Sequence, residues 1–369
     1  MLSVEFIQDH RALHEDGCGS GNSGQFTETR GNGAVRKFFT GAFLWCLLAV
    51  LMILGAYNLG QLRKYNAVSL RYETPVSGQS AYQARQFSAR RGGDAFWPTF
   101  WHEAEAEFTG DHRTVKAPCI TFSGDASLVW PVQYLAGSAP GAIDGAGCAV
   151  SAGLAMEIWG GADVVGMHVT VDGETRIVRG VFDGAEMMAL LSVMDEDKGH
   201  SFTAIELSGG PSHPVRDDAV SYAAAAGLGV PDRVLTGTPE SLASAAAALP
   251  LLILAVYTMI LCAGYIKKRR IVYRSVLFAL AIGFALILPV LLAALPDWAI
   301  PARWSDFSFW GSLTAQVWDD ILQYLALTPR TRDIVYFVLL LKQAGLLLLS
   351  AVLAVSVCFR HRAITGNRV

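Results

Sequence analysis

Residues 147–182 read GCAVSAGLAMEIWGGADVVGMHVTVDGETRIVRGVF, and this stretch decides what kind of domain the chain carries. CAVS has the small and β-branched residues of a short strand. AGLAMEIW then brings Leu154, Ile158 and Trp159 onto one helix face, where they can share a core. GGAD turns the chain. VVGMHVTV and TRIVRGVF are two strands joined at Asp172-Gly173, a dipeptide that suits a tight hairpin because both positions tolerate a left-handed backbone. Strict alternation in the second strand puts Ile177, Arg179 and Val181 on one side and Val178, Gly180 and Phe182 on the other.

Outward from this unit the pattern continues. DAFWPTFWHEAEAEF predicts a helix with Asp94 as its cap. TVKAPCITFSG, SLVWPVQYL and FTAIELS predict strands, and RDDAVSYAAAAGL a helix. Together they make an α+β domain proper over about residues 94–236, enough chain for its own core, with residues 62–93 as a polar lead into it. HEAEAE at 102–107 lacks the second histidine one turn on that would put two imidazoles on one helix face, so it reads as a solvated acidic face. LSGG at 207–210 imitates an ABC ATPase signature, yet no phosphate-binding Gly-x4-Gly-Lys-Ser/Thr loop accompanies it; it reads as a strand-ending turn. No nucleophile elbow and no adjacent Cys/His pair is present, and the chain reads as a non-enzyme without cofactor or metal.

Of 369 residues, 52% are hydrophobic and 17% charged, with mean hydropathy +0.36. That is too apolar for a soluble protein and too polar for a bare helical bundle, so spans plus one soluble domain fit best. Net charge −3, with no basic face, excludes a nucleic-acid binder. Four stretches are long enough to cross ~30 Å of hydrocarbon: 38–60, 243–266, 275–295 and 334–359. Arg36 and Lys37, the turn Lys267, Lys268, Arg269, Arg270 and Arg274, and Arg360, Arg362 and Arg368 all become cytoplasmic if both termini are inside. The expected plan is a flexible cytoplasmic tail (1–34), an extracytoplasmic domain (62–242) inserted between helices 1 and 2, and an extracytoplasmic loop (297–333) between helices 3 and 4 in a multi-pass cell-membrane protein.

Cys119 and Cys148 are the two cysteines of the domain, a pair in an oxidising compartment; they are either bridged or two buried free thiols. No Asp or Glu lies in any span, which argues against a proton relay. Lys342, beside Gln343, either contacts a partner helix or snorkels to the headgroups. Trp310, Leu313, Val317, Ile321 and Tyr324 form one stripe of an amphipathic helix that either lies on the membrane or docks on the domain.

The order CAVS, AGLAMEIWG, DVVGMHVTVDG and TRIVRGVF, combined with one span, a large domain and three more spans, resembles the MacB/FtsX-like ABC transporter permease family over about residues 36–359. The resemblance implies a permease-type subunit that relays ATPase-driven motion to the extracytoplasmic domain, partnered by a separate cytoplasmic ABC ATPase and by another permease in a homo- or heterodimer within membrane lipid. Lys267, Lys268, Arg269, Arg270 and Arg274 then form the candidate ATPase-coupling turn. That turn is shorter than the family pattern, which keeps a second reading open: a membrane-anchored binding or sensing module without ATP coupling.

Overall fold

The computed structural model describes residues 25–65, 67–92, 95–111, 113–194, 199–210, 216–266, 307–327 and 329–366, with a few positions between 275 and 283. The candidate third span (275–295), the turn Lys267–Arg274 and the cap Asp94 lie largely or wholly outside the described residues. Contacts divide the chain into one unit ending at Ala49 and a second from Val50 onward. The first contains the beginning of helix α1 (Gln25–Leu62); the second contains everything below.

A mixed sheet forms the body of the soluble domain. Its strands are β1 (Val68–Ser77), β2 (Phe96–Thr109), β3 (Thr114–Ser123), β4 (Tyr134–Gly137), β5 (Gly147–Ser151), β6 (His168–Val171), β7 (Glu174–Phe182), β8 (Ala189–Ser192), β9 (Ser201–Gly209) and β10 (Arg233–Leu235). The order is β10-β1-β9-β2-β3-β8-β5-β7-β4, with β6 bridging β2 and β7. Pairing is antiparallel except for β3 with β8 and β5 with β7. One face carries Leu70, Phe100, Ile205 and Leu207 beneath α2 (Gly78–Arg91) and α5 (Arg216–Ala225). Further along, it carries Cys119, Cys148, Val150 and Val178 beneath α4 (Ala152–Trp159). The other face holds Trp101, Ile120, Phe122 and Leu190 against α3 (Ala126–Val129) and Trp130.

The central unit forms as its residues dictate. Ser151 caps α4 by accepting from the Leu154 amide, Gly160 ends it in a left-handed conformation, and Leu154, Ile158 and Trp159 pack in one cluster. Asp172 and Gly173 sit at φ 48° and 90°, as a tight hairpin demands. The turn is braced by Asp172 Oδ1, which accepts from the Glu107 amide at 2.9 Å.

Four expectations need correction. HEAEAEF is not helical: it is the second half of β2, paired with β3 from Phe100↔Ser123 to Thr109↔Thr114, and Ala106 and Phe108 fill the core. The alternation of apolar and charged residues there has period two, and pairing overrides the helix propensity of Ala and Glu. The polar lead is also structured, because β1 and α2 occupy most of it and bury Leu70, Ala81 and Ala84. In SLVWPVQYL only Tyr134 onward is strand; Asp125 caps the short helix α3 before it.

Alternation in β7 breaks as well. The β5–β7 register shifts between Cys148↔Val178 and Ala149↔Gly180, and this bulge brings Val178 and Val181 into the same cluster.

Helix α6 (Thr238–Ala246) and α7 (Leu249–Ile266) follow β10, and α8 (Phe307–Leu325) precedes α9 (Thr331–Gly366). Thr40–Tyr65, Thr238–Ile260 and Thr331–Arg360 are long and apolar enough to cross a membrane.

Candidate functional site

Under the face of β1, β2 and β9 that points away from α2 and α5, the sequence places polar residues at alternate positions. Ser69 and Arg71 lie between Val68, Leu70 and Tyr72, and Glu206 between Ile205 and Leu207. The start of α9 seals this face, so the polar residues become buried. Glu206 is 0% exposed and Arg71 and Arg332 only 4% and 5%.

Glu206 Oε1 accepts from Ser69 Oγ at 2.7 Å and Trp101 Nε1 at 3.0 Å. It pairs with Arg332 Nη1 at 3.1 Å and Arg71 Nη2 at 3.7 Å. Arg71 Nη2 also donates to Asp333 Oδ1 at 2.7 Å, and its guanidinium lies 4.7 Å from the Trp101 ring centroid. Arg332 reaches Leu128 O at 3.0 Å and covers the Tyr65 ring. Two cations and two carboxylates, drawn from two strands and one helix end, therefore face each other in a largely buried site. Such a cluster adds little net stability over an apolar core but specifies geometry strictly, because any partner lost leaves a buried charge.

The helix end is itself held by carboxylates. Glu103 of β2 accepts from the Thr331 amide at 3.0 Å and from its hydroxyl, and Asp333 Oδ2 accepts from the Arg330 amide at 3.3 Å. These satisfy amides that the first turn of a helix cannot pair, and negative charge is favourable at that terminus. The Arg330 guanidinium also lies over Trp101, 5.0 Å from the ring centroid. Burial, with Arg71 close by, pulls its pKa down to about 10, so it stays charged at neutral pH. His102 is lowered from 6.5, chiefly by burial, then by Arg330, with Glu103 opposing.

Three further elements meet here. Tyr336 of α9 stacks on Tyr324 of α8 and contacts Tyr65 at the end of the first span, both at 5.9 Å between centroids. Arg63 Nη2 donates to Ser244 Oγ of α6 at 2.9 Å. The domain ends of the three described candidate spans are thus tied to one another, and the first turn of α9 packs directly on the sheet. Deeper along the spans, Asn58 Nδ2 donates to Gln343 Oε1 and Leu339 O, both at 3.0 Å.

Of the residues singled out in the sequence, Gln343 is buried on Asn58, while Lys342 is exposed, about 17 Å along α9 from Thr331 at 1.5 Å per residue. Lys267, Lys268, Arg269, Arg270 and Arg274 lie outside the described residues. Cys119 and Cys148 are free buried thiols and not a disulfide. Cys119 pairs with Ala189 and Cys148 with Leu191, so β8 separates them. Two strand spacings amount to about 10 Å, beyond the ~7 Å that a bridge can span. Burial pushes the thiols up to about 11 and 12 respectively. Arg71, Glu206, Arg332 and Asp333 were not legible as a site; the only signal was a charge inside each of two strands and a charged pair at the mouth of a span. Among the described residues no group of three or more His, Cys, Asp or Glu could hold a metal.

This architecture is that of a multi-pass membrane protein with a mixed α/β domain tied to its spans by buried polar and aromatic contacts. No family model matches the chain, and no curated protein matches it. Solved structures similar to part of it include an extracellular domain, a periplasmic region and a domain of a putative permease. The extracellular domain of the noncanonic ABC-type transporter YknZ from Gram-positive bacteria is 10% identical, covering 44% of this chain and 95% of that one, with TM-score 0.37. The periplasmic region of MacB from Actinobacillus actinomycetemcomitans is 9% identical, covering 46% and 90%, with TM-score 0.38. A domain of a putative permease from Porphyromonas gingivalis is 15% identical, covering 46% and 86%, with TM-score 0.34.

Proposed function

We propose that the chain is the transmembrane, permease-type subunit of an ABC transporter, passing ATPase-driven helix motion to an extracytoplasmic domain and catalysing no chemistry itself. The observation that carries this reading is the junction at Glu206. A span whose first residues are built into a buried ion cluster of the sheet cannot shift or tilt without moving the sheet or breaking the cluster. Interiors packed this way respond by discrete rearrangement, which is what a mechanical relay requires. The caps from Glu103 and the contacts of Tyr65 and Tyr336 support it by joining more than one span to the same point. Both termini lie in the cytoplasm on this reading, and Lys267–Arg274 meets the ATPase.

The test is affinity purification from native membranes in mild detergent, with cross-linking through Lys267 and Lys268. Recovery of an ABC ATPase cross-linked at that turn is the expected result. Repeated recovery of intact protein without an ATPase would overturn the transport reading and leave a membrane-anchored binding or sensing module.

A further inference from the structure

Helix α8 has three sectors, and each has a different neighbour. The first docks. Asp320, 4% exposed, accepts from Thr236 Oγ1 at 2.9 Å and Thr238 Oγ1 at 2.5 Å. Tyr324 donates to Thr236 O at 2.7 Å and stacks on Tyr336, and Leu313 and Val317 are half-buried on the same stripe. Thr238 begins one candidate span, and Tyr336 lies in the second turn of another. The helix therefore sits at the level where spans end.

The second sector is polar. Ser312, Gln316, Asp319 and Gln323 flank the docking stripe on one side, and Asp319 is paired with Arg216 of α5. That pairing turns this flank toward the soluble domain. The third sector flanks the stripe on the opposite side, away from the domain. It holds Trp318, Leu322 and Leu325, spaced four and three apart on one face and 62%, 45% and 64% exposed.

We propose that this flank is immersed in the phospholipid leaflet at the boundary of headgroups and acyl chains, with α8 acting as a float that holds the junction at a set depth. Three observations select lipid as the occupant: the docking contacts to span residues, the pinning of the polar flank to the domain, and a Trp beside two leucines. An interfacial helix buries its apolar face to a depth of about 5–10 Å, and tryptophan favours that zone. The proposal rests on the helices spanning a membrane and not on coupling to an ATPase.

The experiment uses the full chain in phosphatidylcholine vesicles containing lipid brominated at a shallow or a deep acyl position. Tryptophan emission is compared between wild type and Trp318→Phe, so that the difference reports Trp318 alone. A second variant, Leu325→Trp, adds an emitter on the same flank, and Trp45→Phe reports a residue of the first candidate span, 51% exposed. The expected result is loss of most Trp318 emission with shallow bromine and less with deep bromine, and the same for the tryptophan at 325. Quenching by aqueous acrylamide but by neither lipid would overturn the proposal, showing a flank open to water. Protection from all quenchers would also overturn it, showing a protein cover. If Trp45 too escapes both lipids, the membrane-spanning reading itself falls; if only Trp318 escapes, the float alone does.

Discussion

Replacing Glu206 with glutamine tests the junction most directly. The amide oxygen can still accept from Ser69 Oγ and Trp101 Nε1, so shape and hydrogen bonding change little. Charge changes. Arg71 keeps Asp333 at 2.7 Å, but Arg332 keeps only neutral partners, the carbonyl of Leu128 at 3.0 Å and the Tyr65 ring. Arg332 thereby becomes a buried cation without a carboxylate, and losing one member of a buried pair costs about 3–5 kcal/mol. Glu206 is fully buried, so solvent screening does not reduce this. For a domain of this size each kcal/mol moves Tm by about 2–4 °C, giving a fall of roughly 6–20 °C. The assay is thermal unfolding of the full chain in micelles, followed by fluorescence of the buried tryptophans. Glu206→Gln combined with Arg332→Gln removes the stranded cation, so the double variant should lose clearly less than the sum of the two single losses. A fall below about 2 °C for Glu206→Gln, or strict additivity in the double variant, would refute the argument that these charges depend on each other.

His102 is lowered in the folded state, so the unfolded chain binds its proton first as pH falls. Its contribution to stability is present above the unfolded value of 6.5 and is lost as pH drops from there through the folded pKa. Tm measured against pH should fall more steeply below 6.5 for wild type than for His102→Gln; parallel curves would count against the shift. Cys119 and Cys148 should resist maleimide at pH 8 in the native protein, and alkylation under denaturing, non-reducing conditions should recover both as free thiols; a bridged peptide in the mass spectrum would contradict the strand order. Gly180→Ala should destabilise by about 1–3 kcal/mol, since a Cβ there would overlap Ser138 O and the Tyr134 ring. A neutral Tm would mean that β4 can move away.

The local signals in 147–182 were sufficient by themselves: a capped helix with a one-sided apolar stripe, and a hairpin fixed by Asp172-Gly173, depend on neighbours within a few residues. The three described spans were legible for a similar reason, because length and hydropathy act along one continuous segment. The stripe through Leu313, Val317 and Tyr324 likewise marked α8 by its spacing. What failed were readings that depended on pairing. HEAEAEF has residues that favour a helix, and only its seven cross-strand partners in β3 make it a strand. Cys119 and Cys148 looked bridgeable until β8 came between them. The junction was least visible of all. Arg71, Glu206 and Arg332 are far apart in the chain, and in sequence each resembles a solvated surface residue. Burial by the start of α9 turns them into mutually dependent charges, because carboxylates and guanidinium groups removed from water must find each other. Sequence alone determined the helix–hairpin unit at 147–182 and the three described candidate spans; tertiary structure decided which polar residues would be denied water, and so where the domain is bound to the membrane helices.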